Sequence, residues 1–113
     1  MISKQERDED YIEHMADELD FIRAIYVKIN QKLFEEDALL QHALMMSLLT
    51  IGECAKKLSD EFKTNYTEIE WAKISGLRNV AAHVYWQIDM VQIWNALENH
   101  IPKLDKFVSG IRK

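Results

Sequence analysis

The chain has 113 residues, which fits one domain around one core. Apolar residues make up 48% and charged ones 29%, so a disordered chain is excluded. A net charge of -5 argues against a broad basic grip on nucleic acid, though not against a small local basic site.

Three glycines and one proline leave little punctuation, which favours long helices over a many-stranded fold. Cys54 is the only cysteine, so no internal disulfide can form and a reducing, cytoplasmic location is expected. The N-terminal stretch MISKQERDED has no apolar core of the signal-peptide kind. The longest near-apolar run, ALMMSLLTI over 43–51, is too short to cross a bilayer, so no membrane partner is expected.

The first helix is expected over about 8–34. Met15, Leu19, Ile22, Tyr26, Ile29 and Leu33 recur at gaps of three and four, the mark of one apolar stripe. Its outer face carries Asp10, Glu13, Asp17, Glu18 and Asp20. Asp10, His14, Asp17 and Glu18 have a spacing that could ligate a metal. A di-iron bundle needs a matching Glu-x-x-His on another helix, and the second helix offers none, so no metal or other cofactor is expected.

A second helix is expected over about 37–62, with Asp37 as its N-cap and Leu40, Leu44, Leu48, Ile51, Ala55, Leu58 and Phe62 as its stripe. Gly52 lies inside it, where glycine costs about 1 kcal/mol relative to alanine. A glycine there permits close approach of another backbone or marks a kink. Cys54 lies on the same packing helix, a poor place for a nucleophile.

Residues 63–67 read as a loop, and Thr67 with Glu70 has capping-box spacing. A third helix, the short one, is expected over about 68–84, with Ile74, Leu77, Ala81 and Val84 inward and a break at Ser75-Gly76. YWQID, 85–89, reads as a turn in which Asp89 caps the next helix. The fourth helix, about 89–111, shows Val91, Trp94, Leu97, Ile101, Leu104, Val108 and Ile111, and Pro102 should kink or restart it. The expected fold is therefore all-α, a single up-down four-helix bundle over 1–113.

The third segment carries RNVAAHVY, residues 78–85. Arg78 offers a planar five-donor fork suited to phosphate oxygens. His83, with an ordinary pKa of about 6.5, can move a proton near neutrality. RNA carries its own nucleophile, the 2′-hydroxyl. Its cleavage needs a base, an acid and a stabiliser of phosphorane charge, with no strict need for a metal. Arg78 and His83 supply part of that set. On an ideal helix they stand about 140° apart, so they converge only if the helix ends near His83 or Arg78 wraps its stem across. One histidine cannot easily be both acid and base, which favours two facing copies in a homodimer. The plainer reading is two solvent-facing helix residues with Tyr85 as a rim aromatic.

The same stretch resembles the Arg, polar residue, spacer, His pattern of the HEPN superfamily of ribonucleases. Arg-x4-His-x-Tyr resembles the HEPN toxins paired with minimal nucleotidyltransferase antitoxins. IGECAKKLS (51–59) resembles that family's Ile-Gly-Glu segment on its second helix, EWAKISGLRN (70–79) resembles its Trp-x-x-Ile-x-x-x-Arg-Asn approach to the motif, and WQIDMVQIWNALENHIPKL (86–104) fits its tail. The likeness covers roughly 8–108 and departs at Leu77, where methionine or a similar residue is expected. It implies that Arg78 and His83 are catalytic and that Asn79 orients the site. It also implies that Tyr85 receives AMP from the partner antitoxin, with RNA as substrate.

Glu53 is either a salt-bridged surface acid or a residue that positions Arg78 or lines a dimer cleft. Lys56, Lys57, Lys63 and Lys73 either touch RNA backbone or form a solvated face. His42 and His100 read as surface residues. Trp71, Trp86 and Trp94 read as core or interface, with Trp86 able to stack a base. The alternative function is a non-catalytic helical module that binds a nucleotide or a nucleotidyltransferase, with Arg78 as an anchor.

Overall fold

The computed structural model describes residues 3–87 and 90–112, with the side chains of 83–87 left out. Among the described residues the chain is all-α, with seven helices and no strand. In chain order these are α1 (Lys4–Tyr26), α2 (Gln31–Glu36), α3 (Ala38–Lys57), α4 (Asp60–Asn65), α5 (Trp71–Gln87), α6 (Met90–Asn99) and α7 (Ile101–Ile111). Seven helices replace the expected four because three of the expected segments are broken, two of them at side-chain caps and one at Pro102.

The first break follows Tyr26. Asn30 accepts from the Leu33 amide at 2.9 Å and so starts α2 as a new helix. The apolar period runs on through the break, which hid it. The break also changes which side chain is buried. Phe34 is fully buried against Trp94, with ring centroids 5.6 Å apart, whereas Leu33 is exposed. Tyr26 stacks on Trp94 at 5.2 Å.

The second break falls at Leu58-Ser59. Ser59 caps α4 by accepting from the Phe62 amide at 3.1 Å. Asp8 of α1 reaches across to accept from the Ser59 amide at 2.8 Å and from its hydroxyl at 2.6 Å. Asp8 is buried, and this pair of hydrogen bonds occupies both its oxygens. The third break comes at His100, where Pro102 stands at the start of α7 and restarts the helix as expected.

Asp37 does cap α3, accepting from the amides of Leu39 and Leu40. The capping box expected at Thr67 and Glu70 does not form. α5 starts at Trp71, and the Glu70 carbonyl takes the amides of Lys73 and Ile74. Ile69 and Trp71 are both buried. A spacing of two fits an irregular approach better than a helix. Trp71 anchors that approach by donating its indole N–H to the Tyr66 carbonyl at 2.9 Å. With Phe62, Tyr66 and Phe107 it forms an aromatic cluster under the loop.

α3 is the central helix. It packs on α1 along one side and on α5 along the other, while α7 lies against α1 and α6. By length and composition α3 could cross a bilayer, but here Leu44, Leu48, Ile51 and Ala55 are fully buried between its neighbours. Ile12, Met15, Leu19 and Ile22 from α1 meet them, with Ile74, Leu77 and Ala81 from α5. Val91, expected in the core, is exposed instead. Arg23 fastens α1 to α7 by pairing with Asp105, and also bonds Asp20 at 3.0 Å. These two acids raise the Arg23 pKa, the Asp105 hydrogen bonds contributing most.

The Asp8–Ser59 tie joins residues 51 positions apart. Asp8→Ala leaves a partly buried Ser59 amide without its acceptor. Hydrogen bonds to a charged group are worth more than neutral ones, so a loss of about 2 kcal/mol is expected. Urea unfolding of the variant against the parent chain measures it.

Candidate active site

The motif helix is neither short nor broken. α5 runs for 17 residues, and Ser75 and Gly76 lie within it. A Cβ added at Gly76 would meet nothing within 4 Å, so no close packing explains that glycine. The backbone remains helical through Gln87, which overturns the helix end expected near His83 and the turn expected over 85–87; the rest of that turn, Ile88 and Asp89, lies outside the described residues. The side chains of His83, Tyr85 and Trp86 fall outside the described part, as does the proposed cap Asp89. Helix geometry alone puts position 83 about 140° round from position 78, and position 85 about two turns along the same stripe as 78. Convergence through a helix end is therefore not available within one chain.

Arg78 sits in the middle of α5, on the part that packs against α3. Gly52 makes that packing close. A Cβ there would lie 2.5 Å from the Arg78 backbone nitrogen, 3.0 Å from its Cβ and 3.1 Å from its Cα. Real side chains do not come that near, so alanine at this position would have to push the two helices apart. Of the two explanations open for Gly52, close approach is the one observed. α3 runs unbroken through it.

The next residue on α3, Glu53, forms an ion pair with Arg78 through Oε1 and Nε. The side chains are 31% and 48% exposed respectively, so the guanidinium is held yet open to solvent. Asn79 follows on the exposed surface of α5. The structure thus brings Arg78 and Glu53 together where α3 meets α5, with Asn79 next to Arg78 in sequence on the exposed surface of α5.

The other candidates are dispersed. Cys54 is buried, and desolvation raises its thiol pKa above the ordinary value, which suits a packing residue rather than a nucleophile. Lys57 and Glu18 lie within electrostatic reach of it. Lys73 pairs with Glu70 at 3.0 Å on the exposed surface, and Lys63 donates to the Lys56 carbonyl at 3.4 Å. His14 and His42 are exposed. Among the described residues, no three His, Cys, Asp or Glu side chains gather as a metal site. Trp71 and Trp94 are buried in the core.

A family model described as ribonuclease HepT-like matches residues 15–111. Among similar proteins, "Putative RNase TTE0752" of Caldanaerobacter subterraneus subsp. tengcongensis is 33% identical over 101 residues, covering 89% of this chain and 90% of that protein. "Probable ribonuclease HepT" of Thermococcus cleftensis is 29% identical over 104 residues, covering 92% and 94%. No solved structure gives a significant match. The family match takes in α3 and α5, with the whole Arg78-to-Tyr85 motif lying on α5, and it shows that this chain belongs to the HepT-like ribonuclease family of the HEPN superfamily.

Proposed function

We propose that this chain is a metal-independent endoribonuclease and the toxin of a toxin–antitoxin pair. The observation that carries the reading is a half-exposed guanidinium, Arg78, on a helix that bears His83 five residues later, within the matched family region. Arg78 would bind a phosphate of the RNA and offset charge on the phosphorane. His83 would take the proton from the 2′-hydroxyl or give one to the departing 5′-oxygen. Asn79 would orient the backbone beside Arg78. No metal or other cofactor enters this scheme, because the substrate brings its own nucleophile.

A second copy completes the scheme. With α5 helical past position 83, the histidine that works with a given Arg78 is best supplied from the facing protomer. α3 offers a surface for this. Leu39 and Met46 are exposed, and with Glu53 they recur every seven residues along one stripe. The homodimer would therefore meet through α3 and α5, with both motifs at the seam.

A nucleotidyltransferase antitoxin would silence the toxin by placing AMP on Tyr85. The phenol oxygen attacks the α-phosphate of ATP, pyrophosphate leaves and the phenol proton is lost. Position 85 shares a helix stripe with Arg78, so the added phosphate would repel RNA there. The single cysteine, buried as a free thiol, fits work in the cytoplasm.

The purified chain should cut RNA in EDTA and leave 2′,3′-cyclic phosphate and 5′-hydroxyl ends. His83→Ala should remove cleavage while the helical circular dichroism persists. Strict dependence on magnesium would contradict the mechanism. If RNA is untouched and expression arrests no growth, a binding module is the better reading.

Tyr85→Phe should keep most of the ribonuclease activity, since the hydroxyl moves no proton in this scheme. The variant should also resist silencing on co-expression with a nucleotidyltransferase antitoxin. Growth rescued as well as for the parent chain would mean that protection comes from a covering complex instead.

A further inference from the structure

Arg78 has five N–H donors, one on Nε and four on the two Nη atoms. Glu53 engages the Nε side. That leaves the far edge of the guanidinium for a ligand. A phosphate bound there in the two-bonded manner uses one N–H from each Nη. The two partners then sit on different edges of one planar group and do not compete for the same donors.

We infer that Glu53 is a positioning residue for Arg78, fixing the guanidinium by its Nε edge so that its Nη edge is presented to an RNA phosphate. The inference rests on the ribonuclease reading above and adds the means by which its main phosphate ligand is aimed. Two features of the fold support it. Gly52 seats the Arg78 backbone directly on α3, so the root of the side chain is fixed. Glu53 is the very next residue, so the carboxylate is delivered at a set distance from that contact. The long arginine stem would otherwise sample many rotamers, and the ion pair removes that freedom before RNA arrives.

The pair is too exposed to do much for folding. Its value lies in orientation, and it carries a cost. A carboxylate beside Arg78 lowers the attraction for phosphate. Positioning and charge can be separated, because glutamine keeps an acceptor oxygen for Nε while losing the charge.

The test uses the full chain with Glu53→Gln and Glu53→Ala. The first readout is the Arg78 Nε–H resonance in 15N-labelled protein, assigned by its loss in Arg78→Lys. It should be protected from water exchange in the parent chain and in Glu53→Gln, and lost to exchange in Glu53→Ala. The second readout is cleavage kinetics. Glu53→Ala should lower kcat about tenfold or more with an unchanged unfolding midpoint. Glu53→Gln should keep kcat within about twofold and lower KM, as removing a repulsive charge predicts. A 2′-O-methyl oligoribonucleotide, which cannot be cut, should bind Glu53→Gln more tightly than the parent.

Equal Nε–H protection without Glu53, or parental kcat and KM in Glu53→Ala, would overturn the inference. If the parent chain cuts no RNA, the ribonuclease reading fails, and the resonance and the oligonucleotide binding still decide whether Glu53 aims Arg78.

Discussion

The close approach of α3 and α5 at Gly52 is the contact on which the site depends. With no side chain at Gly52, α3 presents bare backbone to the Arg78 nitrogen. Everything else at the site follows from that distance. Glu53 reaches the guanidinium because its own backbone is one residue from the contact. Asn79 rides beside Arg78 on the exposed side of α5. Two opposing terms meet at Gly52. Glycine in a helix interior costs about 1 kcal/mol against alanine, while overpacking typically costs 1–3 kcal/mol. Since the clash is with backbone rather than with a flexible tip, overpacking decides.

The rest of the molecule holds α3 and α5 in that register. Leu44, Leu48, Ile51 and Ala55 fill the interior of α3, and Ile74, Leu77 and Ala81 pack from α5. α1 closes the other side and is tied at both ends by polar contacts, Asp8 to Ser59 near its start and Arg23 to Asp105 near its finish. The aromatic cluster around Trp71 anchors the loop that leads into α5, so the motif helix begins from a fixed point. The charged groups that matter stay at the surface between two rigid helices, where a polymeric anion can reach them.

Much of this was legible in the residue order, and most of what was missed lay at helix ends. Periodicity found the faces of α1, α3 and α5, because burial of one stripe is what a helix in a layered fold must do. Cap chemistry found Asp37, while the residue order leaves Gly52 open between close approach and a kink, and the packing of α5 decides it. Periodicity missed the ends. Ser59-Asp60-Glu61 is a helix start by its own chemistry, a serine cap with acids in the first turn, but the apolar spacing ran on and concealed it. Asn30 was hidden in the same way, which misassigned Leu33 in place of Phe34. The Asp8–Ser59 bond could not be read at all, since no local pattern reports a contact across 51 residues. At the site, the residue types named the chemistry, while the pairing of Arg78 with Glu53 required the helix packing. The expected turn at Tyr85 failed because YWQID has no strong breaker before its aspartate, and α5 continues to Gln87.

Gly52→Ala joins packing to chemistry in one change far smaller than removing a catalytic group. The decisive measurement is RNA cleavage by this variant at a temperature where circular dichroism and denaturant titration show it fully folded. The Gly52→Ala variant should lose up to about 2 kcal/mol of unfolding free energy, an overpacking cost of about 1–3 kcal/mol less the roughly 1 kcal/mol that alanine gains over glycine in a helix, and its kcat should fall at least about tenfold, because Arg78 is displaced from its seat on α3. Parental cleavage rates in the folded Gly52→Ala variant would contradict it, since the contact would then serve packing alone.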